Sequence, residues 1–303
     1  DEEAVSRTIA LTPAGRPQDA RRLEVPVTVV APAVVKGTLH EGDGDAVFPG
    51  RVYARGSDGA YRFGAAHADN TTLSEKFINE LLTLRYEYYK LPFFYSDGRF
   101  EVLLPPGPAE LSLERGCEHP VVTERVDLRP GEVRAIELRS SRMVDMRALG
   151  WYSGDTHLHW VKNSWDVNED IELLALVQRA DDIRVANNPT LYQWRPAEQG
   201  GPFTKPDHHP MGAVPGRVDD DFGIWMTEEY RNDLFYGHVL FLNLLKLIEP
   251  VASGQGSGGP PGTLDWPLNC NVIRQARDQG AINIEAHNLG PKFMSDVPVN
   301  VVN

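Results

Sequence analysis

Three short segments of the chain place metal-ligating side chains at β spacing. The first, GWYSGDTHLHW from Gly150 to Trp160, carries His157 and His159 at i and i+2. On a strand those positions share a face, so two imidazoles can chelate one ion. Imidazole nitrogen suits Zn²⁺ first, with Mn²⁺ and Fe as the other candidates. Asp155 precedes His157 by two and has two readings: it orients His157 or acts as a general base, or it caps the turn after Gly154. The second segment, TEEYRNDLFYGHVLFLNLL from Thr227 to Leu245, sets Glu228 and Glu229 ahead of His238, which heads an apolar run. The third, AINIEAHNLG from Ala281 to Gly290, ends a β-prone run on Glu285 and His287. Each delivers His or Glu at a predicted strand end, where α/β barrels keep their chemistry. Together they predict a metal centre, with Glu285 as a candidate bridge to a second ion. Such an ion draws the pKa of its water from about 15.7 to about 7 and polarises the bond under attack, which is hydrolytic chemistry.

Other polar groups are weaker candidates. Arg231 follows the glutamate pair and is placed to bind an anionic leaving group or to form a surface ion pair. His208 and His209 sit in a polar stretch with Lys205 and Asp207, where exposed loop histidines are the plainer reading. Asp219, Asp220 and Asp221 form a run that attracts a cation or is simply solvated. Glu118 and His119 follow Gly116 in a turn of the first half. The chain has no G-x-S-x-G elbow, P-loop or dinucleotide fingerprint, so serine hydrolase, NTPase and dehydrogenase chemistry lack support.

The elements that must position these groups fall into two halves. From Arg22 to Arg139 short alternating runs are separated by turn signals such as Gly56-Ser57-Asp58-Gly59, Asp97-Gly98 and Pro130-Gly131. Strands of that length at that spacing predict an antiparallel β-sandwich. Apolar residues at helical spacing predict one inserted helix over 72–90. After about Met146, strands alternate with helical stretches at Asp170–Arg179 and Asn269–Gln279, the pattern of an α/β barrel or layered sheet. Segments 199–216 and 252–262 read as long surface loops. The predicted domains are 1–148, a β-sandwich with a helical insertion, and 149–303, an α/β unit.

Composition narrows the partners. The chain has 303 residues and a net charge of -13, most of the acidic excess lying in the second half, the wrong sign for a polyanion ligand. The expected partner is a small-molecule substrate, with no nucleic acid and no membrane; oligomeric state is not legible. Two distant cysteines, Cys117 and Cys270, predict free buried thiols rather than a disulfide framework. The start at Asp1 fits a secreted or periplasmic protein whose signal peptide has been removed, with a cytoplasmic site left open.

The GDTHLH motif, the Glu-rich run before GHVLFLNL and the later histidine resemble the PHP (polymerase and histidinol phosphatase) superfamily, in its CehA/McbA-like metallohydrolase branch. Asp97 to Pro120 and Leu128–Val133 resemble the carboxypeptidase-regulatory-like sandwich that often precedes it. The resemblance implies a distorted (β/α) barrel after the Ig-like sandwich, incomplete at its C-terminal end. It also implies one to three divalent ions held by His157, His159, Glu229, His238 and His287, and hydrolysis of a phosphoester, ester or amide bond. Asn187-Asn188 stand where many members have a histidine, which removes one imidazole from the implied set. The alternative is a non-catalytic extracellular binding protein on a degenerate scaffold.

Overall fold

The computed structural model describes residues 3–11, 21–62, 64, 93–158, 160, 171–190, 211–232, 237–249 and 267–286. The predicted helix over 72–90, His159, His208, His209, His287 and the loop 252–262 lie outside the described residues. Two compact units divide the chain; the second runs from Val144 and also takes in Gly116–Glu118.

The first unit holds ten strands among the described residues. β1 (Glu3–Leu11) and β2 (Arg21–Val29) pair antiparallel as a two-stranded sheet. The others are β3 (Ala33–Glu41), β4 (Gly50–Arg55), β5 (Tyr61–Arg62), β6 (Phe94–Ser96), β7 (Arg99–Leu104), β8 (Gly107–Glu114), β9 (Val122–Leu128) and β10 (Val133–Ser140). They build a three-stranded sheet, β10-β3-β7, and a five-stranded sheet, β5-β4-β8-β9 with β6 also on β4. One apolar core joins the two sheets, because alternate residues of each strand point inward: Val35, Leu39, Val102 and Leu138 from one sheet, Val52, Leu111 and Leu113 from the other. Burying each such side chain stabilises the fold by about 1.5–3 kcal/mol before the chain's ordering entropy is set against it. Gly37 faces this core in register with Phe100, and a methyl group there would fall 2.0 Å from the ring. The ring lies where a side chain at 37 would have been.

The second unit opens with a 3₁₀ turn at Arg147–Leu149. Its elements are β11 (Gly154–Asp155), α1 (Ile171–Ala180), β12 (Val185–Thr190), β13 (Gly212–Val218), β14 (Gly223–Asn232), β15 (Gly237–Leu242), α2 (Asn269–Asp278) and β16 (Ile282–Ala286). The sheet order is β11-β12-β14-β15-β16, with β13 also on β14. β11, β12 and β14 run parallel, whereas β14, β15 and β16 are antiparallel in turn. The expected (β/α) barrel is not formed. Barrel closure requires every neighbour to be parallel, with a crossover of a dozen or more residues between strands, and only four residues separate β14 from β15. The segment read as a loop over 199–216 instead contributes β13 from Gly212 onward.

Both described helices cover the same face of this mixed sheet. Leu174 of α1 packs on Ile224 and Met226, and Val272, Ile273 and Ala276 of α2 pack on Tyr230, Val239 and Phe241. The other face carries Glu229, Arg231 and His238. Among the described residues no helix is long and apolar enough to cross a membrane.

Candidate functional site

β14 alternates its side chains across a sheet buried on both sides, which is how two adjacent glutamates come to lie in different environments. Glu229 points away from the helices and is 2% exposed. Its Oε1 lies 2.6 Å from His238 Nδ1, and its Oε2 lies 3.5 Å from His157 Nε2. Arg231 and His238 are register partners, and Arg231 Nε donates to His238 Nε2 at 3.4 Å. An Nε2 that accepts from Arg231 corresponds to the tautomer protonated on Nδ1, in which His238 donates to Glu229. Both ring nitrogens of His238 are then engaged by protein groups.

His157 is held by its own turn. Its backbone N–H donates to Asp155 Oδ1 at 2.9 Å, so Asp155 acts in the structure as the carboxylate of a tight turn. Asn187 Nδ2 donates to the Asp155 carbonyl at 3.3 Å, and Asn188 Oδ1 accepts the Trp160 N–H at 2.7 Å. The two asparagines thus tie the 154–160 segment to β12. Leu158 and Trp160 lean on the core beneath α1, so the segment is fixed from both sides.

The described members of the expected ligand set, His157, Glu229 and His238, contact one another and Arg231 directly. A Zn²⁺ ligand needs a free lone pair about 2.0–2.1 Å from the metal. In the structure His238 Nε2 faces Arg231 and Nδ1 faces Glu229. The register removes a further candidate: Glu285 pairs with Val239 and shares the helix-covered face with Tyr230, whereas His238 pairs with Ala286 on the opposite face. Among the described residues no group of three or more His, Cys, Asp or Glu side chains is arranged to hold a metal. The expected zinc hydrolase is corrected accordingly, and no catalytic step is assigned to Asp155 or Arg231.

The helix-covered face holds a second set of polar groups, of which the sequence singles out only Glu228, as one half of the acidic pair. Glu228 is fully buried with one oxygen, Oε2, accepting the Ile248 N–H at 2.9 Å, while Oε1 has no hydrogen-bond partner. Burial pushes its carboxyl up to about 8; the Ile248 N–H works against this and the charge of Glu249 adds to it. Tyr230 beside it is raised by burial first and then by the charges of Glu228 and Glu249. Asn232 Nδ2 donates to Asn269 Oδ1 at 2.7 Å and to the Pro267 carbonyl at 2.8 Å, which anchors the start of α2 on the sheet.

Two members of the acidic run, Asp219 and Asp221, form ion pairs. Asp219 accepts Arg179 Nη2 at 2.6 Å and the N–H groups of Asp221 and Phe222 at 2.8 Å, and the arginine foremost holds its carboxyl below the usual range. Asp221 pairs with Arg147 and Arg184. Glu118 Oε2 accepts the Met146 N–H at 3.3 Å, and His119, in the first unit, lies 3.8 Å from Glu41. Both cysteines are free; Cys117 is exposed, contrary to the expected buried thiol.

No family model matches the sequence. No curated protein matches it. Among solved structures it is similar to the minor pilin GBS52 of Streptococcus agalactiae, with 11% identity over 44% of this chain and 58% of that one, TM-score 0.27. It is also similar to the major pilin subunit BcpA of Bacillus cereus, with 10% identity over 47% of this chain and 39% of that one, TM-score 0.23. The Bacillus anthracis TIE protein gives 10% identity over 46% of this chain and 24% of that one, TM-score 0.24. The chain thus spans less than two thirds of each of these proteins. The PHP resemblance is not upheld: its barrel is replaced by a mixed sheet with both described helices on one face.

Proposed function

We propose that this chain is a non-catalytic binding protein that works outside the cell, its first unit recognising a surface polymer and its second serving as a scaffold. A secreted or periplasmic setting is the finer form of the same proposal. The observation that carries the reading is His238, whose two ring nitrogens are both spent on protein partners, Glu229 and Arg231. An imidazole in that state holds its neighbours in place and offers neither a metal-binding lone pair nor a free base to a substrate. The asparagines that tie down residues 154–160 support the same reading, because they use the segment for packing.

Hydrolysis of p-nitrophenyl acetate and p-nitrophenyl phosphate by the whole chain, with Zn²⁺ or Mn²⁺ supplied, tests this. The expected rate equals that of His238→Ala and is insensitive to EDTA. A rate that falls on chelation and on His238→Ala substitution would overturn the proposal.

A further inference from the structure

We infer that the outer face of the five-stranded sheet in the first unit binds a neutral oligosaccharide; this deepens the binding reading above and rests on it. The registers β5/β4, β4/β8 and β8/β9 line up Tyr61, Arg55, Glu110 and Arg125 as one row across four strands. Paired residues share a face, and neighbouring strands lie about 4.8 Å apart, so the row is about 14 Å long, longer than one sugar ring. All four side chains are open to solvent. Tyr61 is 42% exposed and the Arg125 side chain 78%.

The row runs into a cleft of about 480 Å³ lined by Arg55, Ser57, Glu110, Arg125, Val126 and Asp127. That volume falls within the roughly 300–1,000 Å³ of small-ligand sites. Its walls are set by hydrogen bonds: Ser57 Oγ donates to the Pro106 carbonyl at 2.7 Å, and Gly59 N–H to the Gly56 carbonyl at 2.9 Å. Gly59 has φ +78, a conformation that glycine reaches without strain, so the turn beside the cleft is built in. Arg125 is held by Glu110, with Nε and Nη2 both 2.9 Å from Oε2.

Charge decides the class of occupant. Arg55 and Arg125 are matched in number by Glu110 and Asp127, so the cleft carries no net formal charge, while the whole chain at -13 repels a polyanion. A polyol needs the opposite of a single-sign site. Each hydroxyl donates and accepts, and the row offers donor-only guanidinium groups beside acceptor-only carboxylates. Tyr61, at the end of the row, supplies an apolar plate for the C–H face of a ring and a hydroxyl at its rim.

Calorimetric titration of the whole chain with cellohexaose, mannohexaose and chitohexaose, against hexagalacturonate as the charged comparator, tests the inference. At least one neutral hexasaccharide is expected to bind, and Tyr61→Ala, Arg125→Ala and Glu110→Gln are each expected to weaken it by about tenfold or more. His238→Ala, in the second unit, should leave the affinity unchanged. Tyr61, Arg125 and Glu110 are surface positions, and an unchanged melting temperature confirms that each of the three variants is folded. Absence of binding by all three neutral sugars overturns the inference, as does binding that the three variants leave intact. Preferential, salt-sensitive binding of hexagalacturonate also overturns it. None of these outcomes alters the hydrolysis assay, so the two proposals fail separately.

Discussion

Glu229 and His238 meet diagonally across β14 and β15, with Oε1 2.6 Å from Nδ1 and each side chain 2% exposed. Neither belongs to the other's register pair: Glu229 lies opposite Leu240 and His238 opposite Arg231. The contact therefore stitches two successive rungs of the ladder on the face away from the helices.

Truncating one partner leaves the other buried without its hydrogen-bond partner. Glu229→Ala is expected to lower stability by about 1–3 kcal/mol, the cost of an unpaired buried donor, and Glu229→Ala with His238→Ala by less than the sum of the two single changes. Urea unfolding of the four proteins gives the coupling. Strict additivity would show that the short contact contributes nothing. On the proposed non-catalytic reading, dialysis against EDTA should leave the melting temperature of the wild type unchanged.

A second expectation concerns pH. The Glu228 carboxyl, raised to about 8 by burial, is protonated in the folded chain and ionised in the unfolded chain between its ordinary carboxylate value and about 8. The folded state binds the extra proton, so this group favours folding at low pH, and the favour is lost as pH rises toward about 8. Glu228→Gln keeps an acceptor for the Ile248 N–H and removes the titration. The variant is expected to be more stable than wild type at pH 8, by about 2 kcal/mol or more, with a flatter stability profile from pH 5 to 8. Parallel profiles for the two proteins would refute the assignment.

Asn188 is fully buried and holds Trp160 through a 2.7 Å bond. Asn188→Ala should cost about 1–3 kcal/mol and speed amide hydrogen exchange at Trp160. If exchange there is unchanged while stability falls, the asparagine supports β12 and not the 154–160 segment.

Much of the strand pattern is legible in the sequence because a sheet with one buried face alternates. β7 falls on the expected Arg99–Leu104, and α1 and α2 begin within a residue of their predicted starts. β14 was harder to read. It is buried on both faces, so Glu228, Glu229 and Tyr230 show no alternation, and the two glutamates read as one acidic pair although they occupy opposite sides of the sheet. Strand direction was also hidden. The i, i+2 rule expects His157 on a strand, whereas β11 ends at Asp155 and His157 follows in a turn, and the rule says nothing of whether β15 runs with β14 or against it. The short link between those strands, 233–236, was the available signal, and it argued for antiparallel pairing. Glu285 shows the same limit: its spacing from His287 is a β spacing, yet its register with Val239 puts it on the helix side. Asn187 and Asn188 read as the loss of an imidazole; their hydrogen bonds give them a positional role that no motif carries.

Gly37 and Phe100 share a single volume, with the ring of one filling the place of the other's absent side chain. Substitution at either position is thus a joint event in the history of the chain: enlarging residue 37 requires residue 100 to shrink first, and a small residue at 100 opens a hole that 37 alone could refill. Sequence drift in this core must pass through pairs, and the two positions are expected to vary together or not at all.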